Sequence, residues 1–183
     1  MSSNDYKIKL FKSVADNAYK EGSFTLASGQ KSDYYIDCKE ITLNPFGIEL
    51  VGNIMFETIS DWSVDAVGGL ELGSVPISTA ISYISASQGM PLNNIIVRKA
   101  KKGHGAGKKI EGAISKDSKI AIVEDVVSTG GSSMEAVNAI RSVGARVIGV
   151  VAIVDRDMGA KELFAEANLI YEPIFTIDQF RSR

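Results

Sequence analysis

The chain reads as an α/β protein with a central, mostly parallel sheet flanked by helices. Three observations predict this. Short apolar runs alternate with stretches whose apolar residues recur at helical spacing. The runs are continuous and rich in Val and Ile, as in Ile120–Val123 and Val147–Val154, which suits strands buried on both faces. Glycine-rich turns stand between a strand and the helix that follows, the layout of parallel βαβ units.

In chain order, Lys7–Tyr19 carries Leu10, Phe11, Val14, Ala15 and Ala18 on one helical face, and Phe46–Ile59 repeats the pattern with Ile48, Val51, Ile54, Met55 and Ile59. Ala66–Val67 is a short strand leading into the turn GGLELG, with a helix expected near Val75–Gln88. Strands follow at Ile95–Val97 and Ile120–Val123. A helix over Ser132–Val143 presents Met134, Val137, Ile140 and Val143 at the same spacing. Val147–Val154 is the next strand, then a helix near Ala160–Ala167, with a last strand at Ala167–Tyr171.

A length of 183 residues suits one domain spanning 1–183, and neither a linker nor a repeat divides it. The formal charge of -2 gives no general attraction to nucleic acid or anionic membranes, so neither is an expected partner. The opening MSSNDYKIKL lacks a basic segment leading into a long apolar one, and no apolar run is long enough to cross a bilayer. A cytoplasmic protein is expected. Cys38 stands alone, which rules out an intrachain disulfide framework and a cysteine metal cluster, and it reads as a small apolar residue.

Two segments carry chemistry. In Ile120–Ser132, IAIVEDVVSTGGS, a buried-type strand runs into Glu124 and Asp125 and then into a small-residue turn that opens a helix. Ligands of parallel sheets bind at the carboxyl ends of the strands. There the N–H groups of Ser128–Ser132 and the helix dipole suit a phosphate, while the two carboxylates accept hydrogen bonds from a cis diol. The spacing fits one ribose 5-phosphate. Capping of the turn is the structural alternative for the two acids.

The second segment is Arg98–Lys109. Six of the twenty Arg and Lys residues lie in these twelve positions, with the single histidine, His104, between Gly103 and Gly105. It reads either as a solvated basic hairpin tip or as a lid that closes on a polyanion such as pyrophosphate.

VEDVVSTGGS, Val123–Ser132, resembles the phosphoribosyl pyrophosphate (PRPP) signature of the type I phosphoribosyltransferases. GSFTLASGQKSDYYID at Gly22–Asp37, VGGLELGSVPI at Val67–Ile77, VRKAKKGHG at Val97–Gly105 and VDRDMGAKE at Val154–Glu162 extend the likeness over most of the chain in family order. The RKxxKxHG segment together with FTLxSG is similar to the branch of that family that takes orotate as acceptor.

The resemblance implies a central parallel sheet with a small hood, partly from residues 1–40, over the base-binding end. It implies transfer of the 5-phosphoribosyl group from PRPP to orotate, giving orotidine 5′-phosphate and pyrophosphate in UMP biosynthesis. Mg2+ is the implied cofactor, held mainly through PRPP and water, with no direct protein ligand assigned. A homodimer is implied too, with the Arg98–Lys109 loop shared across subunits.

Residue by residue, PRPP falls to Arg98, Lys99, Lys102 and His104, and to Glu124, Asp125, Val126, Val127, Ser128, Thr129, Gly130, Gly131 and Ser132. Lys102, His104 and Asp125 carry the catalytic roles. Orotate falls to Ser128, Arg156, Lys31, Tyr35 and Ile36, with Phe24 adding an apolar wall. Arg156 suits the acceptor's carboxylate because its fork binds bidentately, the alternative being a salt bridge to Asp155 or Asp157. Some relatives carry a lysine where this chain has Ala27, and Lys31 is the candidate substitute. Gly73 likewise stands where some members carry a lysine, which leaves that loop backbone contacts alone. A purine acceptor and a PRPP-sensing regulator are the competing readings.

Overall fold

The computed structural model describes residues 2–25, 31–100 and 108–182. Helix α1 (Ser3–Ser13) starts ahead of the expected position because Ser2 and Asp5 form a reciprocal capping box. It continues as a π-helical turn, Val14–Ala18, and Tyr19 already belongs to strand β1 (Tyr19–Thr25). Strand β1 pairs antiparallel with β2 (Lys31–Ile36) as a separate two-stranded sheet. Neither strand was expected from apolar periodicity, because both are largely exposed.

A short helix α2 (Lys39–Thr42) leads to α3 (Pro45–Ile59), where Asn44 accepts from the N–H groups of Phe46 and Gly47 and Pro45 fills the first turn. Then follow β3 (Ala66–Leu70), α4 (Ser74–Ser87), β4 (Asn93–Val97), β5 (Ile110–Glu111), β6 (Lys119–Val127), α5 (Gly131–Ser142), β7 (Arg146–Asp155), α6 (Ala160–Glu166), β8 (Ile170–Thr176) and α7 (Asp178–Arg181). The last strand begins later than Ala167–Tyr171, since Ala167 and Asn168 close α6.

The main sheet runs β5-β4-β3-β6-β7-β8 and is parallel except for β5 at one edge. Side-chain alternation sorts its residues into two cores. Ala121 and Val123 of β6, with Val151 and Ile153 of β7, pack under α1, α3 and α4. Ile120, Ile122, Val150 and Ala152 pack under α5 and α6 against Val137, Ile140 and Phe164. Each buried Ile or Phe contributes about 1.5–3 kcal/mol, which is why the central strands tolerate no polar residue until their carboxyl ends.

Gly68 and Gly69 lie within β3 rather than in the turn, at ordinary negative-φ geometry. Their role is close approach: a Cβ would stand 2.1 Å from the carbonyl oxygen of Ile95 at one and 2.5 Å from that of Val123 at the other. Among the described residues, no helix is long and apolar enough to cross a membrane. Cys38 is fully buried, and burial drives its thiol pKa far above the ordinary range, which leaves it inert.

Candidate active site

The parallel strands β3, β6 and β7 end on one side of the sheet, and the polar residues of the central runs collect there. Strand β6 extends to Val127, four residues past the apolar run, so Glu124 and Asp125 are strand residues rather than turn residues. Glu124 is 7% exposed. Burial pushes its carboxyl up to about 8, helped by the negative charge of Asp125 and opposed by Lys99. Asp125 bonds back to the N–H of Val126 at 2.9 Å.

The turn after β6 is Ser128–Gly130, and α5 opens at Gly131. Gly130 has φ +82, and a Cβ there would meet the Phe164 ring at 3.0 Å. Only glycine fits this corner without strain. It turns the chain so that the first N–H groups of α5, which lack intrahelical partners, stand at the strand ends.

A cavity of about 330 Å³ lies against this edge, lined by Glu124, Asp125, Val126 and Ser132 together with Glu71, Leu72, Gly73, Lys39 and Lys99. The turn from β3 to α4 starts at Glu71, and the Glu71–Leu72 peptide is cis. A Cβ on Gly73 would stand 2.6–2.9 Å from the Asp125 carboxylate, so any side chain at 73 requires Asp125 to move. Lys39 faces Asp125 from the other wall at 3.9 Å and holds Asp37 at 2.6 Å. The hydrogen bond to Asp37 keeps the Lys39 ammonium above its usual pKa, against partial burial, and Asp125 adds to the effect.

A second cavity, of about 760 Å³, lies between the β1–β2 hairpin and the end of β7, lined by Lys31, Ser32, Asp33, Tyr34, Arg156 and Met158 among others. Arg156 follows β7 directly, and its N–H donates to the carbonyl of Val127 at 2.8 Å. Its Nε donates to the Tyr34 hydroxyl at 2.9 Å, and Nη1 reaches Ser128 Oγ at 3.5 Å. The described contacts show no ion pair from Arg156 to Asp155 or Asp157; Asp155 instead accepts from the N–H of Asp157 at 2.9 Å. Lys31 lines this cavity and donates to Thr25 Oγ1 at 2.9 Å.

The structure therefore brings Lys99, Glu124, Asp125, Val126 and Ser132 to one cavity, and Arg156 and Lys31 to a second, with Ser128 linked to the latter through Arg156. Thr129 and Gly131 are exposed beside them, and Val127 is buried as the last strand residue. Tyr35 departs from expectation. Strand alternation puts it on the opposite face from Tyr34, 41% exposed and tilted against Phe24, so Tyr34 is the tyrosine that lines the cavity. Ile36 packs against the core beneath, partly buried. Arg98 turns to Glu111 at 3.7 Å, with its Nε buried and lacking a hydrogen-bond partner among the described residues. Lys109 pairs with Glu135 of α5 at 2.7 Å. Lys102, His104 and Ala27 lie outside the described residues.

Sequence reasoning missed Lys39, Tyr34 and Glu71, whose carboxylate accepts from the N–H of Lys99 at 3.0 Å. For Tyr34 a signal existed: two adjacent strand residues cannot face one ligand. Lys39 offered none, since its partner Asp125 is remote in the chain.

Mg2+ is a hard cation that keeps several waters and needs few protein ligands. The oxygens of Glu124 and Asp125 at the small cavity suit it, although among the described residues no group of three or more His, Cys, Asp or Glu is arranged to hold a metal.

Residues 37–172 match the family model described as a phosphoribosyl transferase domain. An orotate phosphoribosyltransferase of Rhodopseudomonas palustris (strain BisB5) is 39% identical over 187 residues, covering 100% of both chains. The orotate phosphoribosyltransferase of Mycobacterium tuberculosis, solved with Fe(III) dicitrate, superposes with a TM-score of 0.85 at 35% identity, covering 96% of this chain and 98% of that one. The same enzyme solved with PRPP gives a TM-score of 0.80 at 32% identity, covering 96% and 99%.

Proposed function

The chain belongs to the phosphoribosyl transferase family, alongside its orotate phosphoribosyltransferases, and from that premise we propose how its own residues transfer the 5-phosphoribosyl group of PRPP to orotate. Asp125 and Glu124 accept from the ribose hydroxyls. Ser128, Thr129 and the N–H groups of Gly130–Ser132 hold the 5′-phosphate at the start of α5. The ring nitrogen N1 of orotate attacks C1 of the ribose and gives up its proton to solvent, while the bond from C1 to pyrophosphate breaks and its electron pair leaves with the pyrophosphate.

Lys99 and Lys39, which line the small cavity, meet the leaving group in this reading. Lys102 stabilises the departing charge, and His104 donates a hydrogen bond or proton to the pyrophosphate, roles that rest on the family likeness. Mg2+, where bound, neutralises phosphate charge next to Glu124 and Asp125. Arg156 takes the orotate carboxylate with its fork, while Lys31 supplies a cation in place of the lysine that some relatives carry four residues earlier in the sequence.

The observation that carries this reading is the 3.5 Å approach of Arg156 Nη1 to Ser128 Oγ. It joins a carboxylate-reading cation to a sugar-phosphate turn, the pairing that an acidic pyrimidine acceptor requires and a purine does not. We read the protein as a cytoplasmic enzyme of UMP biosynthesis that works as a homodimer. A groove of about 920 Å³ along α3 and α4 offers the second copy a face, lined by Leu43 and Tyr83, which are 67% and 77% exposed.

The test is an absorbance assay with Mg2+ and PRPP, offering orotate, uracil and adenine separately and measuring pyrophosphate. Loss of orotate matched by pyrophosphate, absent with the other two bases, is the expected result. Turnover of adenine instead overturns the Arg156 assignment. PRPP binding with no turnover of any base overturns the enzyme reading in favour of a regulator.

A further inference from the structure

We propose that Tyr34 is a positioning residue for the acceptor, its hydroxyl fixing the Arg156 guanidinium so that the Nη1/Nη2 edge, and not the Nε edge, meets the acceptor's carboxylate. This rests on the reading of Arg156 as the carboxylate ligand.

A guanidinium offers a carboxylate two bidentate edges, one built on Nε and the other on the two Nη atoms. Here Nε is already committed: it donates to the Tyr34 hydroxyl at 2.9 Å. Nη1 approaches Ser128 Oγ at 3.5 Å, which ties the far side of the fork to the sugar-phosphate turn. With Nε occupied, the end-on edge is what remains for a ligand.

Tyr34 is itself held from several sides. The residue is 7% exposed, and its ring lies 4.9 Å from the guanidinium carbon of Arg156 and 5.6 Å from that of Arg181. Tyr19 stacks on it at 6.0 Å. Arg181, in α7, is anchored by Asp33 at 2.6 Å, so the carboxyl-terminal helix braces the residue next to Tyr34 in the hairpin. A clamp restrained in this way spares Arg156 the entropy of choosing a rotamer when ligand binds.

Tyr34→Phe removes the accepting oxygen and keeps the ring, its burial and its cation-π contacts. Orotidine 5′-phosphate and uridine 5′-phosphate differ by the carboxylate, so calorimetric titration of both isolates the carboxylate contact without chemistry. We expect Tyr34→Phe to weaken orotidine 5′-phosphate about tenfold, the size of one hydrogen bond to a charged group, and to leave uridine 5′-phosphate within about twofold. In an Arg156→Ala background the same substitution adds nothing, because the two residues act as one unit.

Equal weakening of both nucleotides in Tyr34→Phe marks a packing role and overturns the proposal. Loss of the carboxylate preference in Arg156→Ala but not in Tyr34→Phe overturns it as well, while sparing the Arg156 reading. Retention of the preference in Arg156→Ala overturns the reading beneath.

Discussion

At Lys39 one ammonium serves two carboxylates that come from different parts of the chain, Asp37 beside the hairpin and Asp125 on β6. Its side chain is 45% exposed, so the pairing contributes little to folding. Its value lies in placing positive charge on the cavity wall opposite Gly73, where the close approach of Asp125 leaves no room for a side chain. Lys39→Met is expected to raise the KM for PRPP about tenfold with the KM for orotate little changed, and Lys39→Arg to recover most of the loss; initial rates with each substrate varied in turn decide it. The sequence exposes Glu124 and Asp125 because two acids interrupt an apolar run, a local signal. It hides Lys39 and misdirects attention to Tyr35, because what selects Tyr34 is the hairpin's pairing and its contact with Arg156, 122 residues away.

Among the elements, the β6–turn–α5 unit depends most on one position. Gly130 combines φ +82 with a Phe164 ring carbon 3.0 Å from where a Cβ would stand. Gly130→Ala is expected to cost about 1–3 kcal/mol, lowering Tm by about 2–12 °C, and to shrink the stabilisation that added PRPP confers. Thermal melts with and without PRPP measure both. The helices were legible to within a residue or two where apolar spacing is strong, as for α3, α4 and α5. Strand ends were less so, because the extension of β6 begins with two acids, Glu124 and Asp125, that interrupt the apolar run. Strand β8 was displaced toward the amino terminus because Glu172 and Pro173 break its apolar pattern; an edge strand tolerates both, having a free side for the proline. The β1–β2 hairpin was not legible in the sequence, since its faces are mostly exposed to solvent or cavity; the family resemblance implied only a small hood partly from residues 1–40.

For the whole molecule, the buried acid at the sheet's edge makes stability depend on pH. A carboxyl raised from 4.5 to about 8 leaves the native state holding a proton that the unfolded chain has released between those values. Stability of the ligand-free protein therefore falls as pH rises through that window. Glu124→Gln, neutral throughout, is expected to lose less stability than the parent between about pH 5 and pH 8.5, a span set by the free and buried carboxyl values; denaturant titrations at both pH values test this, and equal losses count against a protonated Glu124. The β6–β7 register has a different consequence. Val127 pairs with Asp155, so the two strands finish side by side and release Ser128 and Arg156 as neighbours. On the proposed reading, sugar-phosphate recognition issues from one strand, and acceptor recognition from the next strand together with the separate β1–β2 hairpin. Such a division is an evolutionary seam: a lineage can exchange the base it reads by altering β7's terminus and the hairpin while the donor-handling half is inherited intact.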